Sequence, residues 1–303
     1  MKAGTIAVAI VGAGGLARAM AKALSRSGGA VVTIASRRPA AAARLAHGLR
    51  KTTASRKIED AIAGARVVLL AVSDRAIAPL AAELSPLRRS WRGVVVLHAA
   101  GAYGPALLAP LRARGAATGV LHPLAVLGSG RGVSTTGAYA RIEGAPAALA
   151  AARRLCALAG LVPLRASGLS TPSGRASYHA AASLASNDVV ALLAAAHDLL
   201  VRKGVKARDA RNALAHLASG AIATVRVAGL GGALTGPVAR NDVGTLSAQL
   251  AVLSALDPAA AAAHRALSLR LIPWAEAAGR LDKPAARSLR RVLARGPGGS
   301  RTV

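Results

Sequence analysis

The chain has 303 residues, of which 40 are Lys or Arg and 12 are Asp or Glu, giving a net charge of +28; Phe is absent and aromatic residues make up 2%. That length exceeds what one hydrophobic core usually serves, so two domains are expected, with cores of closely packed Ala, Leu and Val in place of rings. The basic residues are spread along the whole chain without aromatic residues between them to stack bases, so the charge reads as a general Arg and Ala bias and we expect no nucleic-acid partner.

Residues 6–17 read IAVAIVGAGGLA, an apolar run that ends in Gly12-x-Gly14-x-x-Ala17. A strand buried on both faces lacks polar alternation, and this one leads straight into glycines and then a helical stretch, 15–27. Gly12 allows a tight turn that a Cβ would strain. Gly14 lets a phosphate approach the backbone, and Ala17 lets the helix pack closely on the strand. The free N–H groups and positive dipole end of that helix suit a pyrophosphate, so Gly12, Ala13, Gly14, Gly15 and Leu16 are assigned to a dinucleotide. The same stretch imitates a secretory signal, with Lys2 ahead of apolar residues, but the glycines interrupt it and a strand and phosphate turn explain it better.

Residues 30–35 form a second strand, followed by Ser36-Arg37-Arg38 where an acidic side chain would otherwise meet the ribose hydroxyls of NAD. A hydroxyl and two guanidinium groups instead offer charge-assisted contacts to a 2′-phosphate, which favours NADP over NAD as cofactor. The alternative is that both arginines are simply solvated at a helix start. A helix at 39–49, a weak strand at 51–55, a short helix at 58–64 and a clear strand at 66–72 keep the βα rhythm, with Val72 and Ser73 as further cofactor contacts. Strands at 93–99 and 117–121 flank a helix at 105–114. A strand at 138–142, a helix over Pro146–Ala159 and a strand at 161–164 complete an α/β Rossmann fold with a mostly parallel, doubly wound sheet. Ligands of such sheets sit beyond the carboxyl ends of the strands, where His98 and His122 fall, and the nicotinamide is expected beside them. The single cysteine, Cys156, reads as a small core residue and is compatible with a reducing compartment.

From about Ser170 the alternation gives way to long helices at 174–203, 207–229, Val243–Leu256 and 258–278. The Ser-, Gly- and Pro-rich stretch 167–174 reads as a linker. Residues 1–168 are therefore taken as the NADP-binding domain, 169–291 as an all-helical substrate and dimerisation domain, and 292–303 as a basic disordered tail. The most apolar helical stretch, 180–200, carries Asn187, Asp188 and Asp198, so no membrane span is expected and a cytoplasmic protein is. Along 174–203, His179, Ser183 and Asn187 recur every four residues and would share one face. In the loop at 231–242, Thr235 can donate a hydrogen bond and Arg240 can grip a carboxylate or phosphate. Asp242 can either fix that guanidinium or cap the next helix. The seven histidines lack paired spacing, so no metal site is expected.

Three segments together resemble one family: Tyr178-His-Ala-Ala-Ala-Ser-Leu-Ala-Ser-Asn187, Ala233-Leu-Thr-Gly-Pro-Val-Ala-Arg-Asn-Asp242, and Leu97-His-Ala-Ala-Gly101 with His122-Pro123. These look like the Rossmann-like proteins that carry the C-terminal domain of unknown function 2520, and the resemblance runs from Thr5 to about Leu271. It implies an NADP-binding fold followed by an all-α domain like the C-terminal domain of 6-phosphogluconate dehydrogenase, with pyrroline-5-carboxylate reductase and ketopantoate reductase as more distant relatives. It also implies pairing of the helical domains, hence a homodimer. This sequence departs from the family pattern at Ser73, where a proline is usual, at Ala100 (serine), Ala125 (glutamine) and Asn241 (glycine). Related hydroxyacid dehydrogenases carry a lysine where Ser183 stands. A reductase built on this chain must therefore take its proton from His179 or His122, with Asn187 orienting the reacting oxygen or nitrogen. The expected activity is hydride transfer to or from a small, anionic carbonyl or imine compound at the interdomain cleft. The competing expectation, raised by the missing lysine, is a non-catalytic NADP-binding sensor.

Overall fold

A computed structural model describes residues 4–127, 134–164 and 166–294. Among these residues the strands are β1 (Ile6–Val11), β2 (Ala30–Ala35), β3 (Thr52–Ala54), β4 (Val67–Leu70), β5 (Val95–His98), β6 (Ala117–Pro123), β7 (Tyr139–Gly144) and β8 (Val162–Leu164). They form one sheet in the order β3-β2-β1-β4-β5-β6-β7-β8. Every pairing is parallel except β6 with β7, where Gly119 lies opposite Gly144 and His122 opposite Arg141. The helices of this part are α1 (Gly15–Ser27), α2 (Pro39–Ala46), α3 (Ile58–Ala63), α4 (Asp74–Leu84), α5 (Ala109–Ala113), α6 (Pro146–Ala159) and α7 (Pro172–Leu184).

Local chemistry sets several element ends. α6 begins with Pro146, whose missing N–H would be unpaired in a first turn anyway, and stops at Gly160, whose φ of 68° places it in the left-handed region. Two cores cover the sheet. One gathers Met20, Leu24, Val32, Ile34, Leu155 and Cys156 under α1 and α6. The other gathers Ile62, Leu70, Ile77, Leu84 and Trp91 under α3 and α4. Burial pushes the Cys156 thiol up to about 11, which leaves it un-ionised and suits the packing role read for it.

The chain divides into two compact units, Met1–Leu184 and one that begins at Ala185. The boundary falls later than the 168/169 break expected above, because α7 is bound to the sheet by Tyr178 and Arg175. The helix expected at 174–203 is two helices: α7 ends at Leu184, Ser186 takes a non-helical φ of −128° and ψ of −73°, and α8 (Asn187–Arg202) begins at Asn187. Asn187 therefore belongs to the second unit and is separated by a break from the helix face shared by His179 and Ser183. The region 105–114 is a 3-10 turn, Pro105–Leu108, followed by the single turn of α5.

The second unit continues with α9 (Ala207–Gly232), α10 (Val243–Leu256), α11 (Pro258–Ala277) and α12 (Lys283–Ala294). α10, α11 and α12 enclose Leu246, Leu250, Ile272, Leu289 and Leu293. Asp242, Asp257 and Asp282 each accept a backbone N–H three residues on, from Thr245, Ala260 and Ala285, and so begin the three helices. Residues 292–294, expected in the tail, are the end of α12, with Leu293 buried; the rest of that tail, 295–303, lies outside the described residues. By length and composition alone, 172–202, which the break at Ser186 interrupts, and α9 are apolar enough to cross a membrane. None of the residues in their apolar windows is buried.

Candidate nucleotide and imidazole site

The sheet order reverses between β1 and β4, whose helices leave on opposite faces, and this is where open α/β sheets hold their ligands. β1 ends in the turn Gly12-Ala13-Gly14. Gly12 has a φ of 132°, and a Cβ there would also strike the carbonyl of Ala71 beyond β4. Both facts demand glycine. A Cβ on Gly14 would meet nothing within 4 Å, so the space over this turn is open to a ligand. Gly15 is held against the carbonyl of Leu127, and a Cβ would strike it.

A cavity of about 830 Å³ lies beside the turn, lined by Gly12, Ala13, Gly14, Ser36, Arg37, Arg38, Val72 and Ser73, with Arg75 and Glu83 of α4. An adjoining cavity of about 300 Å³ shares Gly14, Val72 and Ser73 and adds Gly15, Leu16, Ala125 and His122. Ser36 Oγ accepts the N–H of Arg38 at 3.2 Å, fixing the turn that follows β2. The cofactor residues read from sequence thus line two adjoining cavities, with the exception of His98. Its side chain is fully buried: Nδ1 accepts the N–H of Ala100 at 3.1 Å, and Nε2 lies 2.9 Å from the Gly104 carbonyl, to which it donates. Burial holds this imidazole below its usual pKa. With both nitrogens committed, His98 pins the loop after β5 and is not a cofactor contact, a correction that follows from its hydrogen bonds.

That loop carries Gly101 into the second part of the site. A Cβ on Gly101 would lie 2.9 Å from His122 Nε2 and 2.9 Å from His179 Nδ1. The two imidazoles, 57 residues apart in sequence, therefore lie on either side of a residue where a Cβ would force one of the rings to shift. His122 Nδ1 is 2.9 Å from the Tyr178 hydroxyl, which also donates to the His122 carbonyl at 3.1 Å, and the two rings meet edge to face at 5.4 Å. Burial, with the Arg141 charge and that of His179 adding to it, pushes His122 down to about 4.

Sequence reasoning missed what lies beneath. Arg141 is 2% exposed and pairs with Glu143, which also binds Arg175 of α7 at 2.8 Å. The Arg141 guanidinium further donates to the carbonyls of Ala100 and Tyr103 at 3.3 and 2.7 Å and sits 5.6 Å from the centre of the Tyr178 ring. It thereby ties β7, the Gly101 loop and α7 together. The available signal was alternation: Tyr139, Arg141 and Glu143 point to one face of β7, where a solvated surface would be the simple assumption.

The other substrate-binding candidates lie in the second unit. Asp242 caps α10, accepting the Thr245 N–H at 2.9 Å and its hydroxyl at 2.7 Å, and these bonds hold its carboxyl below the usual range. Arg240 donates to the backbone carbonyl of Thr235 and so closes its own loop. Ser183 lies one turn beyond His179 on α7.

These features define a Rossmann-type sheet with open hollows at its switch point, and comparison with known proteins agrees on the fold. Residues 1–123 match the model of a Rossmann-like domain, and residues 138–271 match that of the Domain of unknown function (DUF2520). The two matches follow one another along the chain, the second beginning at the last strands of the sheet. Solved structures of the same fold include one described as a candidate NADP oxidoreductase from Bacteroides fragilis, at 22% identity and a TM-score of 0.69, covering 89% of this chain and 98% of that one. A reductive aminase from Aspergillus terreus, in complex with NADPH and ethyl-5-oxohexanoate, has 19% identity and a TM-score of 0.58 over 97% of this chain and 96% of its own. A pyrroline-5-carboxylate reductase from Coxiella burnetii has 14% identity and a TM-score of 0.58 over 94% and 97%. Comparison with curated proteins returned no match.

Proposed function

We propose that this protein is an NADP-dependent oxidoreductase acting on a small carbonyl or imine compound. The single observation that carries the proposal is the pair of adjoining cavities that meet at Gly14, Val72 and Ser73, one reaching Arg37 and Arg38 and the other the imidazole of His122. A phosphorylated ribose fits the arginine end, where Ser36 and two guanidinium groups replace the carboxylate that would repel it. A pyrophosphate fits the α1 N-terminus, where Gly14 leaves room and α1 carries no acidic residue in its first turn. Bound there, the nicotinamide would supply or accept hydride. The chain's own residues do the rest: His122 and His179 place two imidazoles beside the hollow, where one can give a proton to the reacting nitrogen or oxygen. The solved neighbours named as an NADP oxidoreductase, a reductive aminase and a pyrroline-5-carboxylate reductase support an oxidoreductase of this kind.

The absence of lysine from α7 favours a second reading, an NADP-binding sensor. Turnover separates the two. NADPH oxidation with a panel of ketones plus amines, cyclic imines and keto acids, repeated with His179→Gln and His122→Gln, gives loss of turnover with retained NADPH affinity if the protein is an enzyme. No oxidation with any member of the panel contradicts the proposal. Arg240 and Thr235 remain proposed contacts to an anionic substrate, and Arg240→Gln then raises KM for carboxylate-bearing substrates alone.

We propose also that α8 and α9 pair with a second copy. They leave Val190, Leu192, Leu217, Ile222 and Val227 exposed, the last at 91%, and only Ala210 is buried on either helix. Arg208, Asp209, Arg211 and Arg226 on α9, and Asp188 and Asp198 on α8, suit a protein interface with polar margins better than hydrocarbon.

A further inference from the structure

The hydroxyl of Tyr178 has one proton, and the two contacts it makes at His122 determine where that proton goes. A carbonyl oxygen only accepts, so the bond to the His122 carbonyl at 3.1 Å uses the phenol proton. The 2.9 Å contact between the same oxygen and His122 Nδ1 can then be a hydrogen bond only if Nδ1 carries a hydrogen and donates it. Burial pushes the phenol up to about 12, so it stays protonated across the working range. The remaining nitrogen, Nε2, is left with a lone pair facing Gly101 and His179 Nδ1.

We propose that Tyr178 is a positioning residue which fixes His122 as its Nδ1–H tautomer, so that the site presents one acceptor imidazole, His122, opposite one proton-carrying imidazole, His179. His122 is ringed by Arg141 on β7, His98 on β5 and His179 on α7, with Glu143 of β7 spent on Arg141 and Arg175. Among the described residues no carboxylate bonds to its ring to favour the imidazolium, so His122 acts as a fixed hydrogen-bond acceptor and orienting group. His179, on the exposed face of α7, is the proton donor to the substrate. In the reductive direction the N–H bond of His179 breaks as an N–H or O–H bond forms on the substrate, the hydride coming from the reduced nicotinamide dinucleotide. The ligand fragment that this pair receives is one with an N–H or O–H to give to His122 and an atom to be protonated by His179, as in a neutral imine or a carbonyl compound that also bears a hydroxyl or amino group. The division of roles rests on the proposed reductase activity; the tautomer does not.

The test is therefore a readout on the protein alone. Nitrogen-15 imidazole spectra of the full chain, assigned with His122→Gln and His179→Gln, are followed from pH 8 to 5. We expect His122 to show hydrogen on Nδ1 and an unprotonated Nε2 throughout, and Tyr178→Phe to release it into a mixture of tautomers. A wild-type His122 that carries its hydrogen on Nε2, or that becomes doubly protonated within that range, overturns the proposal. The wild-type result stands even if Tyr178→Phe fails to fold. Kinetics then decide the roles: His179→Gln should abolish the acid-dependent limb of kcat, whereas His122→Gln should lower kcat and leave that limb in place. The reverse assignment overturns the roles while leaving the reductase activity intact.

Discussion

Gly101 is the residue on which the candidate chemistry turns, because it alone separates two imidazoles that the chain brings from β6 and α7. Gly101→Ala must push a methyl against both rings, and packing strain of this kind costs about 1–3 kcal/mol; we predict a lowered Tm together with loss of turnover, and unchanged values of both would contradict the geometry. His122 also gives the folded state a pH dependence. Its folded pKa is depressed to about 4 from the 6.5 of a free imidazole, so between those values the unfolded chain binds more protons than the folded one. Stability therefore falls as pH drops through that window, with His98 and His264, both also lowered by burial, adding in the same direction. Thermal melting from pH 7.5 to 4.5 should show this decline, and His122→Gln should flatten it. At this scale the sequence was legible where a residue type is imposed by backbone geometry. Gly12 is one such case; Asn241, noted in the sequence only as a departure from the family pattern, has a φ of 53°, a left-handed conformation that asparagine tolerates. It was not legible for His98, since the residue type does not reveal that both ring nitrogens meet backbone groups of the loop that follows β5.

At the scale of elements, apolar runs and their punctuation located the strands of the sheet and their end loops. The α1 turn, the Ser36-Arg37-Arg38 segment and the β4 exit were each readable because strand ends in this topology converge on a ligand. α4 and α12 were not read. α4 contains Pro79, a residue that reads as a helix stop, and α12 sets Arg287, Arg290 and Arg291 among its buried Ala286, Leu289 and Leu293. The break between α7 and α8 was invisible because 180–190 lacks proline and glycine, and periodicity alone carries a helix straight through it. The Arg141–Glu143–Arg175 network belongs to this scale too, since it links β7, α7 and the Gly101 loop. Removing one member of such a pair leaves a buried charge uncompensated, which costs about 3–5 kcal/mol. Glu143→Gln should thus lower Tm markedly, and a variant as stable as the wild type would show that the network carries no weight.

For the whole molecule, a net charge of +28 and two helices with little buried surface raise the question of what the second unit meets. The sequence suggested the composition of those faces but not their exposure, which depends on which helices the core of α10, α11 and α12 leaves out. Light scattering should give twice the chain mass, and Leu217→Asp with Val227→Asp should give the monomer; a wild-type monomer contradicts pairing through these helices. The central claim is the nicotinamide dinucleotide itself. Calorimetric titration of the full chain with NADPH and NADH, for the wild type and for Arg37→Ala with Arg38→Ala, tests it most directly. Charge-assisted hydrogen bonds contribute about 1.5–3 kcal/mol each, so NADPH should bind once per chain and at least about tenfold more tightly than NADH, with the preference lost in the double variant. No heat of binding with NADPH at millimolar concentration would contradict the account.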